Sequence, residues 1–83
     1  MESAPPTLLI IEDEPDLVLG LRDNFEFEGF RVLDAGDGES GLATAIAEEP
    51  DLILLDLMLP KKSGYDVCRE LRRRGLTMPI IML

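Results

Sequence analysis

The chain has 83 residues, 46% of them hydrophobic and 30% charged, and its net charge of -9 gives an isoelectric point near 4.2. This length allows one small domain, and the acidic balance argues against direct binding of this segment to nucleic acid phosphates. Because the sequence has neither 18 consecutive apolar residues nor the basic and apolar regions of a signal peptide, we expect a cytoplasmic protein with no membrane segment. A single cysteine, Cys68, fits a reducing compartment, and we expect it to be a buried thiol.

Three short, continuous apolar runs predict β-strands that are covered on both faces of a sheet, and a fourth, less apolar segment at residues 30–35 predicts a further strand. They span residues 7–11, 30–35, 51–55 and 79–83. We expect residues 1–6, before the first strand, to be a flexible N-terminus.

Three amphipathic patterns between these strands predict helices. The first begins near Pro15 and ends before Gly29, the second covers residues 39–49, and the third covers residues 65–74. Asp13 or Glu14 is available to cap the first helix, and Asp37 is available to cap the second. The side chains expected to face the sheet are Leu17, Val18, Leu21 and Phe25, then Leu42, Ala43, Ile46 and Ala47, then Val67, Cys68 and Leu71. Phe27 and Phe30 are also expected in the core or at its margin, and Tyr65 is expected to pack against the third helix.

The resulting order, β-α-β-α-β-α-β, predicts an α/β fold in which helices cover both faces of a parallel sheet and the connections are right-handed. Binding sites in such open sheets lie beyond the carboxyl ends of the strands. The acidic residues that follow the strands are therefore the candidates for function.

Carboxylates follow two of the predicted strands. Glu12 and Asp13 come directly after the first strand, and Asp56 comes directly after the third. If these strands are neighbours, the three side chains converge, and their repulsion favours a hard dication. Mg²⁺ fits best, since the D-x-D-x-D-G pattern of a calcium loop is absent. Glu14 and Asp16 are interpreted as first-turn residues that the helix dipole favours.

Three stretches together resemble the receiver domain of bacterial response regulators. They are L-I-I-E-D-E-P at residues 9–15, A-G-D-G-E-S-G-L at residues 35–42 and D-L-I-L-L-D-L-M-L-P-K-K-S-G-Y-D-V at residues 51–67. The resemblance implies a flavodoxin-like, doubly wound parallel sheet. It also implies that Asp56 accepts a phosphoryl group, and that Glu12, Asp13, Asp56 and the backbone carbonyl of Met58 hold Mg²⁺.

The same resemblance implies a phosphorylation-dependent signalling switch in a two-component system. The resemblance implies a sensor histidine kinase as the donor. Because this chain contains no histidine, it cannot be its own phosphohistidine donor, and the phosphoryl group must come from another protein or a small acyl phosphate. Such a domain is not a conventional enzyme, since it catalyses only its own phosphoryl transfer and dephosphorylation. The output, for which a DNA-binding domain outside this segment is a candidate, is expected to regulate transcription.

Two other functions stay open at this point. One is a pseudo-receiver that dimerises without phosphate, against which the presence of Glu12, Asp13 and Asp56 argues. The other is an aspartate-nucleophile phosphatase. Such enzymes resemble one another in a D-x-D motif at the strand end, but here Met58 stands where the second aspartate would be.

Relative to a full receiver domain, residues 7–83 are expected to form the N-terminal part, without the last strand and two helices. A sheet edge left uncovered would favour a dimer or an oligomer that exchanges elements. The basic residues concentrate in residues 61–83, whose net charge is +4 against -13 for residues 1–60. Arg72, Arg73 and Arg74 are interpreted as a solvated helix end, with partner contact as the alternative, and Lys61 and Lys62 as solvated.

Overall fold

A computed structural model describes residues 4–83. The seven elements, in chain order, are β1 (Thr7–Ile11), α1 (Pro15–Phe27), β2 (Arg31–Ala35), α2 (Gly38–Glu48), β3 (Leu52–Leu55), α3 (Gly64–Arg73) and β4 (Ile80–Met82). The predicted flexible N-terminus lies partly outside the described residues. Where it is described, the carbonyl of Pro6 accepts a hydrogen bond from the Arg31 N–H at 2.8 Å.

The four strands form one parallel sheet in the order β2-β1-β3-β4. This is the flavodoxin-like arrangement, in which the order reverses between β1 and β3 and a crevice opens at their carboxyl ends. The predicted fold class is therefore confirmed. Within residues 4–83, no helix has the length and apolar character that crossing a membrane requires.

The core has two layers because successive strand residues point to opposite faces. On one face, α2 and α3 cover a fully buried group: Leu9, Ile11, Ala45, Ile53, Leu55, Val67 and Leu71. On the other face, α1 packs over Leu8, Ile10, Val32 and Leu54. Cys68 is half-buried against the first group rather than fully buried.

The inward face of α2 differs from the prediction. Gly41 and Ala45 are buried, while Ala43 and Ala47 are exposed. The helix lies so close to the sheet that a Cβ at Gly41 would be 2.6 Å from Cγ2 of Ile11. Gly41 and Ala45 therefore face the sheet, and the alanines two positions away from them face solvent.

Three other side chains expected to pack are exposed. Phe27 is 88% exposed, Tyr65 is 63% exposed and Leu17 is 44% exposed. Residues two apart on a helix point in nearly opposite directions. Since Phe25 packs edge-to-face on Phe30, with ring centroids 5.5 Å apart, Phe27 is directed outward. Tyr65 is directed outward in the same way, because Val67 is buried.

Candidate functional site

The site lies where β1 and β3 end side by side. Ile11 is in register with Leu55, so the residues that follow them, Glu12 and Asp56, are neighbours. The Asp56 N–H donates to the Ile11 carbonyl at 3.0 Å, and the Glu12 N–H donates to the Ala35 carbonyl at 3.0 Å. The sheet therefore fixes the backbone from which both carboxylates project.

Three carboxylates meet at this point. One oxygen from each of Glu12, Asp13 and Asp56 lies within 4.8 Å of the other two. Two segments more than 40 residues apart in the chain supply them, so the grouping depends on the parallel pairing of β1 and β3. Each of the three is a hard oxygen donor, which is the type of ligand that Mg²⁺ prefers.

Glu12 is the most buried member of this group, with 6% of its surface exposed. Burial is the main reason that its pKa is raised above the ordinary value of 4.5, and the neighbouring carboxyl groups of Asp13 and Asp56 raise it further. The Glu14 N–H, which donates to Oε2 of Glu12 at 2.9 Å, opposes this rise. The site thus holds a desolvated carboxyl group that an added cation would stabilise in its charged form.

The start of α1 differs from the prediction. Glu14 occupies the cap position, but its side chain makes no cap hydrogen bond within the described residues. The side chain of Glu12 accepts from the Glu14 N–H instead. Glu12 therefore links the acidic group to the first turn of α1. By contrast, Asp37 caps α2 as predicted, because its Oδ1 accepts from the Ser40 N–H at 2.8 Å.

Asp56 is oriented by the chain that follows it. The Met58 N–H donates to Oδ1 of Asp56 at 3.1 Å. The side chain of Met58 is 85% exposed, so this residue contributes to the site through its backbone. Its carbonyl as a metal ligand stays a prediction.

Arg22 is a residue of this region that sequence reasoning missed. It lines a cleft of about 420 Å³ beside Glu12 and Asp13, but its guanidinium group pairs with Asp34 at 2.5 Å and Glu26 at 3.2 Å. The Glu26 contact follows from helical spacing, whereas the Asp34 contact joins α1 to β2 and has no local sequence signal. Because Arg22 is engaged there, its charge does not replace a cation among the three carboxylates.

Comparison with known families decides the class of this domain. The model of the response regulator receiver domain matches residues 8–83. The chain belongs to the response regulator receiver family. The resemblance inferred from its motifs is thereby confirmed.

This receiver domain is similar to several bacterial transcriptional regulators. It is 47% identical over 76 residues to the alkaline phosphatase synthesis transcriptional regulatory protein PhoP of Bacillus subtilis, covering 92% of this chain and 32% of that protein. It is 46% identical over 80 residues to the DNA-binding dual master transcriptional regulator RpaA of Synechocystis, covering 94% of this chain and 33% of that protein. The chain therefore spans about a third of the length of these curated relatives.

A solved structure agrees with the fold. A putative response regulator from Chloroflexus aurantiacus superimposes with a TM-score of 0.89 at 34% identity, covering 94% of this chain and 66% of that one. This receiver domain thus shares its fold with that structure over the aligned residues.

Proposed function

We propose that this receiver domain is a switch in which Asp56 accepts a phosphoryl group from a sensor histidine kinase. The observation that carries the proposal is the convergence of Glu12, Asp13 and Asp56 at the point where β1 and β3 end. Three carboxylates this close repel one another, so their grouping is unfavourable unless a cation binds among them. The family membership of the chain supports the same function.

Mg²⁺ fits the donors at this site. Glu12, Asp13, Asp56 and the backbone carbonyl of Met58 would hold it, with Asp13 as a direct ligand and Glu12 acting directly or through water. When bound, Mg²⁺ neutralises the carboxylates and the phosphoryl oxygens, which is the main requirement of phosphoryl transfer. The raised pKa of Glu12 supports this assignment, because it marks a negative charge that lacks a positive partner.

In the proposed transfer, a carboxylate oxygen of Asp56 attacks phosphorus in line with the donor imidazole. A phosphorus–oxygen bond forms, the phosphorus–nitrogen bond breaks, and the electrons of the broken bond stay on the imidazole nitrogen. Because Oδ1 of Asp56 accepts from the Met58 N–H, we assign the attack to Oδ2. The domain thus catalyses only the gain and loss of its own phosphoryl group.

The phosphoryl group of Asp56 would control an output domain outside this segment. The matched relatives are transcriptional regulators, and RpaA is by name DNA-binding. We therefore propose a transcriptional output and a cytoplasmic location. The net charge of -9 supports contact with DNA through the output domain rather than through this segment.

The test is the intact mass of the chain after incubation with Mg²⁺ and a small acyl phosphate. The parent is expected to gain one phosphoryl group, and Asp56→Asn, which keeps the shape of the side chain but removes the nucleophile, is expected to gain none. Equal gain by both chains would show that another residue is the acceptor. No gain by a folded parent would contradict the proposal and is the result expected of a phosphate-independent pseudo-receiver.

A further inference from the structure

The loop that follows Asp56, residues 57–63, is held against the start of α2. We call this segment the acceptor loop. The carbonyl of Pro60 accepts two hydrogen bonds, one from the Lys62 N–H at 2.8 Å and one from the Gly38 N–H at 3.3 Å. The first bond closes a turn within the loop, and the second joins that turn to α2, which is distant in sequence.

Gly38 makes this contact through the absence of a side chain. It is buried, and a Cβ built on it would overlap the backbone carbonyl oxygen of Lys62 and lie 2.7 Å from the carbonyl carbon of the same residue. Real Cβ atoms essentially never approach other atoms so closely. Because a Cβ at position 38 would meet backbone atoms, any larger residue there must displace the acceptor loop or the start of α2.

The acceptor loop is fixed at its other end as well. The Gly64 N–H donates to the Leu57 carbonyl at 3.0 Å, and a Cβ at Gly64 would be 2.9 Å from Cα of Leu57. Met58, whose N–H holds the carboxylate of Asp56, lies between these two attachments. If a larger residue at position 38 displaced the acceptor loop, the displacement would therefore reach Asp56 through few intervening bonds.

The conformation of the loop shows that it is held in place. Lys61 has a φ of 70°, in the left-handed region that a residue with a Cβ adopts at an energetic cost. The start of α2 is also held, since Oδ1 of Asp37 accepts from the Ser40 N–H; this bond is the main reason that the pKa of Asp37 is lowered, and the charge of Lys61 lowers it further. Both sides of the contact are thus restrained.

We propose that Gly38 is a positioning residue for the phosphoacceptor site. By admitting the backbone of Lys62 and donating to Pro60, it sets the path of the acceptor loop, and through Met58 it sets the geometry of Asp56 and of the metal ligands. This inference rests on the proposed function. It assigns to the G-D-G turn a role beyond starting a helix.

The experiment compares Gly38→Ala with two control variants. In Gly36→Ala, the added Cβ meets no described atom within 4 Å. In Ala45→Gly, a buried methyl group is lost from the same helix seven residues after Gly38, so this variant measures the effect of weakening α2 while Gly38 is kept. The Mg²⁺ dissociation constant, the rate of phosphoryl uptake and thermal unfolding are measured for all of them.

Gly38→Ala is expected to weaken Mg²⁺ binding about tenfold and to slow phosphoryl uptake by about tenfold or more. Both controls are expected to bind Mg²⁺ within about twofold of the parent, although Ala45→Gly unfolds at a lower temperature. Mg²⁺ affinity in Gly38→Ala that matches the parent, or falls no further than in Ala45→Gly, would overturn the positioning role.

A second measurement keeps the proposal testable if Gly38→Ala does not fold. Hydrogen exchange of the metal-free parent is expected to show protection of the Gly38 and Lys62 amides, and exchange of the Gly38 amide at the rate of an unprotected amide would overturn the contact. These readouts do not require phosphorylation. A parent that binds Mg²⁺ but takes up no phosphoryl group would contradict the proposed function while the positioning role was still tested.

Discussion

Two charged regions of this receiver domain place similar side chains in opposite electrostatic environments. On α3, Glu70 accepts from Nε of Arg73 at 2.8 Å and lies 3.8 Å from Arg74, while Asp66 pairs with Arg69 at 3.4 Å. At the ends of β1 and β3, Glu12 lies beside other carboxylates and accepts from a backbone N–H, and it forms no salt bridge with any of residues 4–83. The pKa of Glu70 is accordingly lowered, chiefly by Arg73, whereas the pKa of Glu12 is raised, chiefly by burial.

The difference separates charges that pair within a helix from charges that have no oppositely charged partner among the described residues. The pairs on α3 join residues three or four apart on one helix, and their exposed arginines make them weak contributors to stability. In the acidic group, Glu12 is buried, Asp56 is half-buried and Asp13 is exposed, so the repulsion on Glu12 is the part that is poorly screened and opposes folding. Such a cost is typical of a functional site. The three consecutive arginines thus belong largely to the structure of the helix end, where Arg72 also donates to the Leu76 carbonyl at 3.0 Å.

Removal of Asp13, the proposed direct ligand, is expected to have the largest effect on metal binding. Asp13→Asn should weaken Mg²⁺ binding by about a hundredfold or more, since the loss of an outer-sphere partner alone costs about 10 to 100-fold. Calorimetric titration measures this change, and Asp23→Asn, an exposed carboxylate on α1, serves as the matched control. Equal affinities for Asp13→Asn and the parent would remove Asp13 from the ligand set.

Glu12→Gln is expected to weaken metal binding less than Asp13→Asn does, and to raise rather than lower the free energy of unfolding. Mg²⁺ binding should weaken about tenfold, while the metal-free chain gains on the order of 1 kcal/mol in free energy of unfolding at neutral pH, because a desolvated charge is removed. The folded pKa of Glu12 lies above its ordinary value of 4.5, so the cost of its charge is complete above the folded pKa and disappears as the pH falls below 4.5. Urea unfolding across this range should show the advantage of Glu12→Gln shrinking on acidification. A variant that is less stable than the parent at pH 7 would contradict the repulsion inferred here.

Glu70→Gln is expected to show the smallest effect and the opposite sign. The pKa of Glu70 is lowered from 4.5 by its arginine partners, so the stability it contributes is complete above that ordinary value and is lost as the pH falls through the folded pKa. The variant should therefore be slightly less stable than the parent at neutral pH and equal to it in acid, with unchanged Mg²⁺ affinity. Parallel pH profiles for Glu70→Gln and Glu12→Gln would show that the two regions do not differ as described.

The order of the elements and the convergence of the carboxylates could be predicted from the sequence, because both follow from local patterns and one topological rule. Apolar runs mark the strands, and parallel pairing brings Glu12, Asp13 and Asp56 to one edge. The cap at Asp37 was equally local.

The features below, which were predicted wrongly or not at all from the sequence, depend on tertiary contacts. Whether Phe25 or Phe27 faces inward is decided by the packing on Phe30 and not by residue type. Gly38 looks like a turn residue in G-D-G, and only the folded chain brings Lys62 against it. The link from Glu12 to the Glu14 N–H replaced an expected cap for the same reason, since the path of the chain out of β1 determines which carboxylate reaches it.

An NMR titration of the metal-free parent with Mg²⁺ distinguishes a specific metal site formed by the three carboxylates from a merely acidic surface. Saturable binding to one site is expected, with the largest changes at the amides of Glu14, Asp56 and Met58 and little change at Asp66 and Glu70. Small, unsaturated changes spread evenly over all acidic residues would contradict it.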